Sequence, residues 1–98
     1  MSFICIDDTS GEIIGTILAG HDGRRGFIYH VAVAKQHRRK GIANELIGLS
    51  IRGLKKAGIK RCSLMVRREN KEAYNFWSVN GWRLRTDLDM FSKDLTAD

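Results

Sequence analysis

Apolar and polar positions run in short strand-like blocks over the first third of the chain and then switch to a helical period. Phe3 to Ile6 is an apolar run, Asp7-Asp8-Thr9-Ser10-Gly11 has turn chemistry, and Glu12 to Ala19 is rich in Ile and Thr. After a second turn containing Gly20, Asp22 and Gly23, Gly26 to Val33 resumes strand composition and ends in Val31-Ala32-Val33, an unbroken apolar run suited to a central strand. The pattern predicts three antiparallel strands. From Gly41 onward Ala43, Leu46, Ile47, Ser50, Leu54 and Ala57 recur at spacings of three and four, which places them on one side of a helix. Gly58 followed by Ile59 is its expected stop. Gly48 and Gly53 interrupt this helix at a cost of about 1 kcal/mol each against alanine, so a close approach by another backbone is expected there.

Arg61 to Val66 reads as a second central strand. A strand, a helix and a strand in succession imply a right-handed parallel crossover, with Val33 and Val66 on neighbouring strand ends. Asn70 is placed to cap a second helix whose Ala73, Phe76 and Trp77 share a face, and Gly81-Trp82 repeats the glycine-plus-apolar stop. Trp82 to Thr86 and Leu88 to Phe91 read as a closing hairpin that turns near Asp87, and Ser92 to Asp98 as a frayed tail. The expected fold is therefore α/β (α+β): a mixed, mainly antiparallel sheet with a central parallel βαβ crossover and two main helices.

With 98 residues the chain has room for one domain and one core, and a second copy would supplement the small area it buries. Its 43% apolar and 29% charged residues are those of a folded globular chain, far from a disordered composition. No apolar run approaches the length of a membrane span and no basic stretch precedes an apolar one at the start, so the chain reads as cytosolic. Cys5 and Cys62 lie in apolar stretches without metal-ligand spacing and read as buried free thiols. The net charge of +6 favours a polyanionic partner: nucleic acid, an anionic membrane or a multiply phosphorylated small molecule.

One segment narrows that choice. Gln36-His37-Arg38-Arg39-Lys40-Gly41-Ile42-Ala43 leads from the end of a central strand directly into a helix. The first turn of a helix has N–H groups without internal partners and about half a unit of positive charge, so a phosphate there satisfies both. Gly41 lets the anion come close, while Arg38, Arg39 and Lys40 supply full charges around it. The spacing is neither that of a Walker loop nor that of a three-glycine dinucleotide fingerprint.

Arg38, Gly41 and Ala43 match the pyrophosphate loop Arg/Gln-x-x-Gly-x-Gly/Ala of the GNAT (GCN5-related N-acetyltransferase) superfamily, which the sequence resembles. Further blocks extend the resemblance in order along the chain: Gly11-Glu12-Ile13-Ile14-Gly15, Val31-Ala32-Val33, then Asn70, Ala73, Phe76 and Trp77, and Gly81-Trp82. The resemblance implies acetyl-CoA as cofactor and a primary amine of a small molecule or protein as acceptor, with direct attack on the thioester and no covalent enzyme intermediate. It implies that the parallel strands splay so that the pantetheine arm lies between them, beside Val31, Ala32 and Val33. Arg38, Arg39, Lys40, Gly41, Ile42 and Ala43 would hold the pyrophosphate, with Asn70, Phe76 and Trp77 contributing further contacts. The Val33 N–H would stabilise the oxyanion.

The chain departs from the pattern in two places. Trp77 stands where many members carry a tyrosine that protonates the departing thiolate, and an indole N–H is not acidic enough for that step; Tyr74, a turn earlier, is the stand-in. The resemblance also leads to the expectation that residues 1–98 form a single domain lacking the family's usual first strand and first two helices, which wall the acceptor site. No carboxylate is present on the strand ending at Val33, which leaves Tyr29, His30 or water as general base. Simple alternation puts Tyr29 on the face of Val31 and Val33, and His30 on the opposite face. Two other functions compete with turnover: an acetyl-CoA-binding module without catalysis, and a nucleic-acid surface built from Arg38 to Lys40, Lys55-Lys56, Lys60-Arg61 and Arg67-Arg68. The second lacks interleaved aromatic residues for base stacking.

Overall fold

The computed structural model describes residues 1–96, and Ala97 and Asp98, the end of the expected tail, lie outside the described residues. Contacts divide the chain into one compact unit spanning Met1–Met65 and a second from Val66 onward. The first unit holds strands β1 (Phe3–Ile6), β2 (Ile13–His21) and β3 (Gly26–Val33), a single 3-10 turn (Lys35–His37), helix α1 (Ile42–Lys56) and strand β4 (Cys62–Leu64). They form one sheet in the order β1-β2-β3-β4, with β1, β2 and β3 antiparallel and β4 parallel to β3. The predicted strand order and parallel crossover are both present.

One face of this sheet is covered by α1. Ile17, Ala19 and Ile28 from the strands are buried together with Leu46, Ile47 and Leu54 from the helix and Ile59 from the loop after it. Each buried Ile or Leu among them contributes about 1.5–3 kcal/mol. Ser50 is 0% exposed in the midst of the apolar stripe, and its hydroxyl donates to the Met1 carbonyl at 2.6 Å, which satisfies a polar group that burial would otherwise penalise. Gly15 brings sheet and helix close together. A Cβ there would lie 2.9 Å from Ile42 Cγ2 and 3.2 Å from Leu46 Cδ1, so the absent side chain is what seats the first turns of α1 on β2. Lys55 and Lys56 fall in the last turn, where cations complement the helix dipole. Gly58 takes a left-handed φ of 82°, and Ile59 N–H returns to the Leu54 carbonyl as expected of the stop.

Several expectations need correction. Gly53 faces Met1, with Met1 Cγ at 3.3 Å from a built Cβ, but Gly48 has open space and no backbone approaches it. Cys5 and Cys62 are free but only half-buried, since each sits on an edge strand. β4 is three residues long instead of six, and its pairing with β3 runs Gly26↔Cys62, Phe27↔Ser63 and Ile28↔Leu64 before stopping. Val33 and Val66 are therefore not ladder neighbours.

The second unit contains α2 (Lys71–Val79), capped by the Asn70 side chain, which accepts a hydrogen bond from Ala73 N–H at 3.1 Å. Trp77 packs edge-on against both Phe76 and Trp82, with ring centroids 5.1 Å and 5.0 Å apart. The hairpin expected over residues 82–91 is absent: no strand forms there among the described residues. An isolated two-stranded hairpin is marginal in water, and this segment binds itself by a local contact instead, with Arg85 donating two hydrogen bonds of 2.9 Å to the Asp87 carboxylate. That contact holds the Asp87 carboxyl well below the usual carboxylate range. Among the described residues no helix is long and apolar enough to cross a membrane.

Leu54 is 2% exposed and central to the contact of α1 with the sheet. Leu54→Ala is expected to lower unfolding stability by about 2–5 kcal/mol, read from chemical denaturation of the purified chain.

Candidate functional site

The carboxyl end of β3 combines an unfinished ladder with an uncapped helix. Along β2, β3 is paired from Gly26 to Val33, and Ala34 N–H extends that edge by donating to the Ile14 carbonyl at 2.7 Å. Successive residues of a strand present their backbone groups to opposite edges. Since Ala34 faces β2, Val33 and Val31 face the other way. That other edge is the one β4 leaves after Ile28. The peptide groups of Val31 and Val33 thus border a wedge between two parallel strands that pair at one end only.

β3 also carries a bulge. The register passes from Ala19↔Ile28 to Leu18↔His30, so Tyr29 has no partner of its own. Val31 opposite Ile17 and Val33 opposite Gly15 stay on the α1 side, whereas Phe27 opposite Gly20 and His30 opposite Leu18 lie on the other face. The Tyr29 ring stacks on Phe27 at 6.0 Å between centroids and approaches a built Gly20 Cβ to 3.8 Å, which puts it on that same outer face. The alternation expected from the sequence is overturned here: Tyr29 does not share the face of Val31 and Val33, and Tyr29 and His30 share the outer face. An inserted residue leaves no mark in hydrophobic period alone, because a polar pair on an exposed face fits either reading.

Beyond Val33 the chain makes its 3-10 turn and then two left-handed residues, Arg39 with φ 66° and Gly41 with φ 78°. Gly41 is the N-cap of α1 and no side chain caps the helix, so its first-turn N–H groups are free of side-chain partners. Nothing lies within 4 Å of a built Gly41 Cβ. The space in front of the helix is open, and Arg38, Arg39 and Lys40 around it are all exposed. Arg38 Nε donates to the Val33 carbonyl at 3.3 Å, which ties the basic loop to the end of the wedge. Lys40 Nζ lies 3.4 Å from His37 Nδ1.

The turn between β1 and β2 stands beside this loop. Asp7 Oδ1 accepts from Thr9 N–H at 2.8 Å and Ser10 N–H at 3.0 Å. The Ser10 and Thr9 amides, with smaller contributions from His37 and Lys40, hold the Asp7 carboxyl below its usual value. Asp7 is therefore spoken for within its own turn. Burial pushes the Cys62 thiol up, and Cys62 pairs opposite Gly26, at the other end of β3 from Val33. Among the described residues no three His, Cys, Asp or Glu side chains gather as a metal site.

The predicted site residues thus divide by unit. Val31, Ala32, Val33, Arg38, Arg39, Lys40, Gly41, Ile42 and Ala43 are contiguous at one end of the first unit, where Ile42 and Ala43 open α1. Asn70, Tyr74, Phe76 and Trp77 belong to the second, where Asn70 caps α2 and the other three are half-buried on it. The wedge amides were legible as strand-end residues, whereas the left-handed Arg39 had no sequence signal.

Comparison with known proteins decides what this arrangement belongs to. The model of the acetyltransferase (GNAT) family matches residues 1–82. The chain belongs to the GNAT acetyltransferase family. Its relatives include a Sodalis glossinidius acetyltransferase, 30% identical over 93 residues that make up 95% of this chain and 66% of the relative. A Pectobacterium atrosepticum acetyltransferase is 38% identical over 65 residues, which are 66% of this chain and 46% of that protein. This GNAT chain thus spans about two thirds or less of the length of these curated relatives. Among solved structures, the aminoglycoside acetyltransferase AAC(6')-Iy in complex with the bisubstrate analog CoA-S-monomethyl-acetylneamine superposes with a TM-score of 0.78 at 22% identity, covering 95% of this chain and 68% of that one. The NatC complex bound to Gag peptide and CoA gives 0.70 at 28% identity, covering 82% of this chain and 55% of that one. The mixed sheet with its two helices is the GNAT fold.

A left-handed backbone costs a side-chain-bearing residue about 1–2 kcal/mol, more than the entropy that glycine loses on folding. Arg39→Gly is therefore expected to raise unfolding stability by about 0.5–1 kcal/mol in denaturant melts, although it removes a charge from the loop.

Proposed function

We propose that this chain binds acetyl-CoA along the β3 edge and at the start of α1, and serves transfer of the acetyl group to a primary amine. The observation that carries the reading is the early end of the β3–β4 ladder at Ile28 and Leu64, which leaves the Val31 and Val33 peptide groups facing a wedge. A pantetheine arm, itself an amide-bearing chain, fits such an edge as a further strand would. At the end of the same strand the uncapped α1 start and the Arg38-Arg39-Lys40 loop suit a pyrophosphate, and the open space at Gly41 admits it. Each charge-assisted hydrogen bond made there is worth about 1.5–3 kcal/mol. CoA in the structures of AAC(6')-Iy and NatC supports the same cofactor here.

The chain's own groups then have distinct tasks. The Val33 N–H, with its carbonyl already engaged by Arg38, is a fixed donor for the oxygen that gains charge when the thioester is attacked. In the second unit the family pattern assigns Asn70, Phe76 and Trp77 to the cofactor, and with Trp77 in the place of the proton-donating tyrosine Tyr74 is the stand-in for that step. The acceptor is a small-molecule or protein amine.

A second reading keeps the cofactor but not the turnover. It is favoured by Trp77, whose ring is held between Phe76 and Trp82 and whose N–H has no acidity for protonating a thiolate.

Gly41→Glu sets a side chain and a negative charge at the helix start. Calorimetry with acetyl-CoA is expected to show a loss of affinity of about 30-fold or more, equivalent to roughly 2 kcal/mol, in a variant that remains folded. Unchanged affinity would defeat the site. Trp77→Tyr restores an acidic hydroxyl at that position. Turnover measured as free thiol release is expected to rise about tenfold or more if departure of the thiolate limits the rate, and equal rates would argue against a role for an acid at residue 77.

A further inference from the structure

From the order of side chains between Trp82 and Met90 we infer that this segment is a dimerisation strand, pairing antiparallel with the same segment of a second copy about a two-fold axis at Thr86. The segment reads Trp-Arg-Leu-Arg-Thr-Asp-Leu-Asp-Met. Apolar side chains fall on the even positions around Thr86 and charges on the odd ones, the period of a strand with one dry side and one wet side. It holds no Gly, Pro or Asn, the residues that favour a tight turn, and so it suits one uninterrupted strand better than a hairpin turning near Asp87.

In the single chain this strand has no ladder to join. Its start is anchored to α2, where Trp82 N–H donates to the Trp77 carbonyl at 3.0 Å and the two indoles meet edge-on. From Arg83 to Met90, among the described residues, no backbone group bonds to another. Leu84, Leu88 and Met90 are 63%, 61% and 71% exposed, so the apolar side of the pattern lies open as well. Unpaired peptides beside an apolar stripe form a template for a further strand. The contact of Arg85 with Asp87 spans a bend at Thr86 and Asp87, and opening that bend brings the segment into line.

The charges identify the occupant of that edge. Antiparallel pairing about Thr86 sets Arg83 opposite the partner's Asp89, Arg85 opposite the partner's Asp87, Leu84 opposite the partner's Leu88 and Trp82 opposite the partner's Met90. The two-fold axis repeats every pair. Each charge meets its opposite and each apolar side chain meets another, which is the arrangement that stabilises cross-strand neighbours. A slip of two residues either way sets Asp87 or Arg85 against its own copy, and parallel alignment sets every charge against its like, so the register is specified. Each copy carries a net +6, and two copies repel unless the surface that joins them cancels its own charge. With two arginines and two aspartates, this segment does so. A two-stranded ribbon alone is marginal in water. Here Trp77 touches Trp82, which lies on the apolar side, so each copy brings α2 as a layer for that side.

The test follows the full chain by sedimentation velocity over a concentration series. The wild type is expected to show a monomer–dimer equilibrium that weakens as salt is added. Arg83→Asp/Arg85→Asp makes all the charges of the segment acidic, and Asp87→Arg/Asp89→Arg makes them all basic. Each variant alone should associate at least about tenfold more weakly than the wild type. An equimolar mixture of the two should recover a heterodimer, because every opposed pair is again of opposite sign. Register is read by oxidation: Thr86→Cys should give a disulfide-linked dimer, identified by its cross-linked peptide, whereas Asp89→Cys, well off the axis, should not. Hydrogen exchange should protect the amides of residues 83–90 at dimer-forming concentrations and lose that protection on dilution. A wild type that stays monomeric at millimolar concentration, a dimer that survives both charge reversals, or equal cross-linking at residues 86 and 89 would overturn the inference. So would protection of residues 83–90 in a monomer, which would mean that the strand pairs within its own chain. None of these readouts involves acetyl-CoA, so the outcome is independent of the cofactor reading.

Discussion

A strand inside a sheet has two edges to satisfy, and β3 satisfies only one of them along its whole length. Toward β2 it is paired to its last residue and beyond, through Ala34 N–H and the Ile14 carbonyl. Toward β4 the pairing lasts three residues. Backbone groups out of contact with water demand partners, so the peptides of Val31 and Val33 must remain wet or be met by a ligand that can replace a strand. The other features of the site follow from where this vacant edge ends. Gly15 brings β2 against Ile42 and Leu46 and so sets the start of α1 close to the last residue of β3. The Arg38 bond to the Val33 carbonyl then joins edge and loop into one surface.

That surface is positive by construction, not merely by composition. The net charge of +6 is shared among many groups, but at the loop three cations, a helix start without a side-chain cap and a left-handed turn at Arg39 fall together. A strained backbone at an exposed arginine is kept only where something offsets it. Here the offset is the direction of the chain: Arg39 and Gly41, both left-handed, turn it from strand end to helix axis within a few residues. Asp7, in the β1–β2 turn, accepts from the Thr9 and Ser10 amides, which fix its carboxylate within that turn.

Most of the architecture was legible in the sequence because it rests on period and punctuation. Phe3 to Ile6 and Gly26 to Val33 are strands with the expected limits, and Gly58-Ile59 and Asn70 terminate or cap the helices for the reasons read from their chemistry. The illegible parts depend on partners in space. Arg61 to Val66 reads as six residues of strand, yet only Cys62–Leu64 find a ladder, since pairing depends on where β3 and β4 diverge. Gly48 reads like Gly53, yet only Gly53 has a neighbour. Residues 82–91 have alternating side chains without a paired edge, and the Arg85–Asp87 bond settles their local form instead.

The bulge at Tyr29 shows the same limit most sharply, and its cause lies in the core. Ile28 is buried opposite Ala19, while Val31 and Val33 lie opposite Ile17 and Gly15 on the same α1 face. Residues 28 and 31 are an odd number apart, and in a regular strand one of them would be turned out to the opposite face. Turning out the buried Ile28 would forfeit about 1.5–3 kcal/mol, which exceeds the cost of a single unpaired residue at an exposed position. The bulge is therefore held by Ile28 and Val31 packing against α1 and β2, and neither Tyr29 nor His30 is needed to maintain it. A polar residue thus stands beside the vacant edge at a position fixed by hydrophobic packing on the other face.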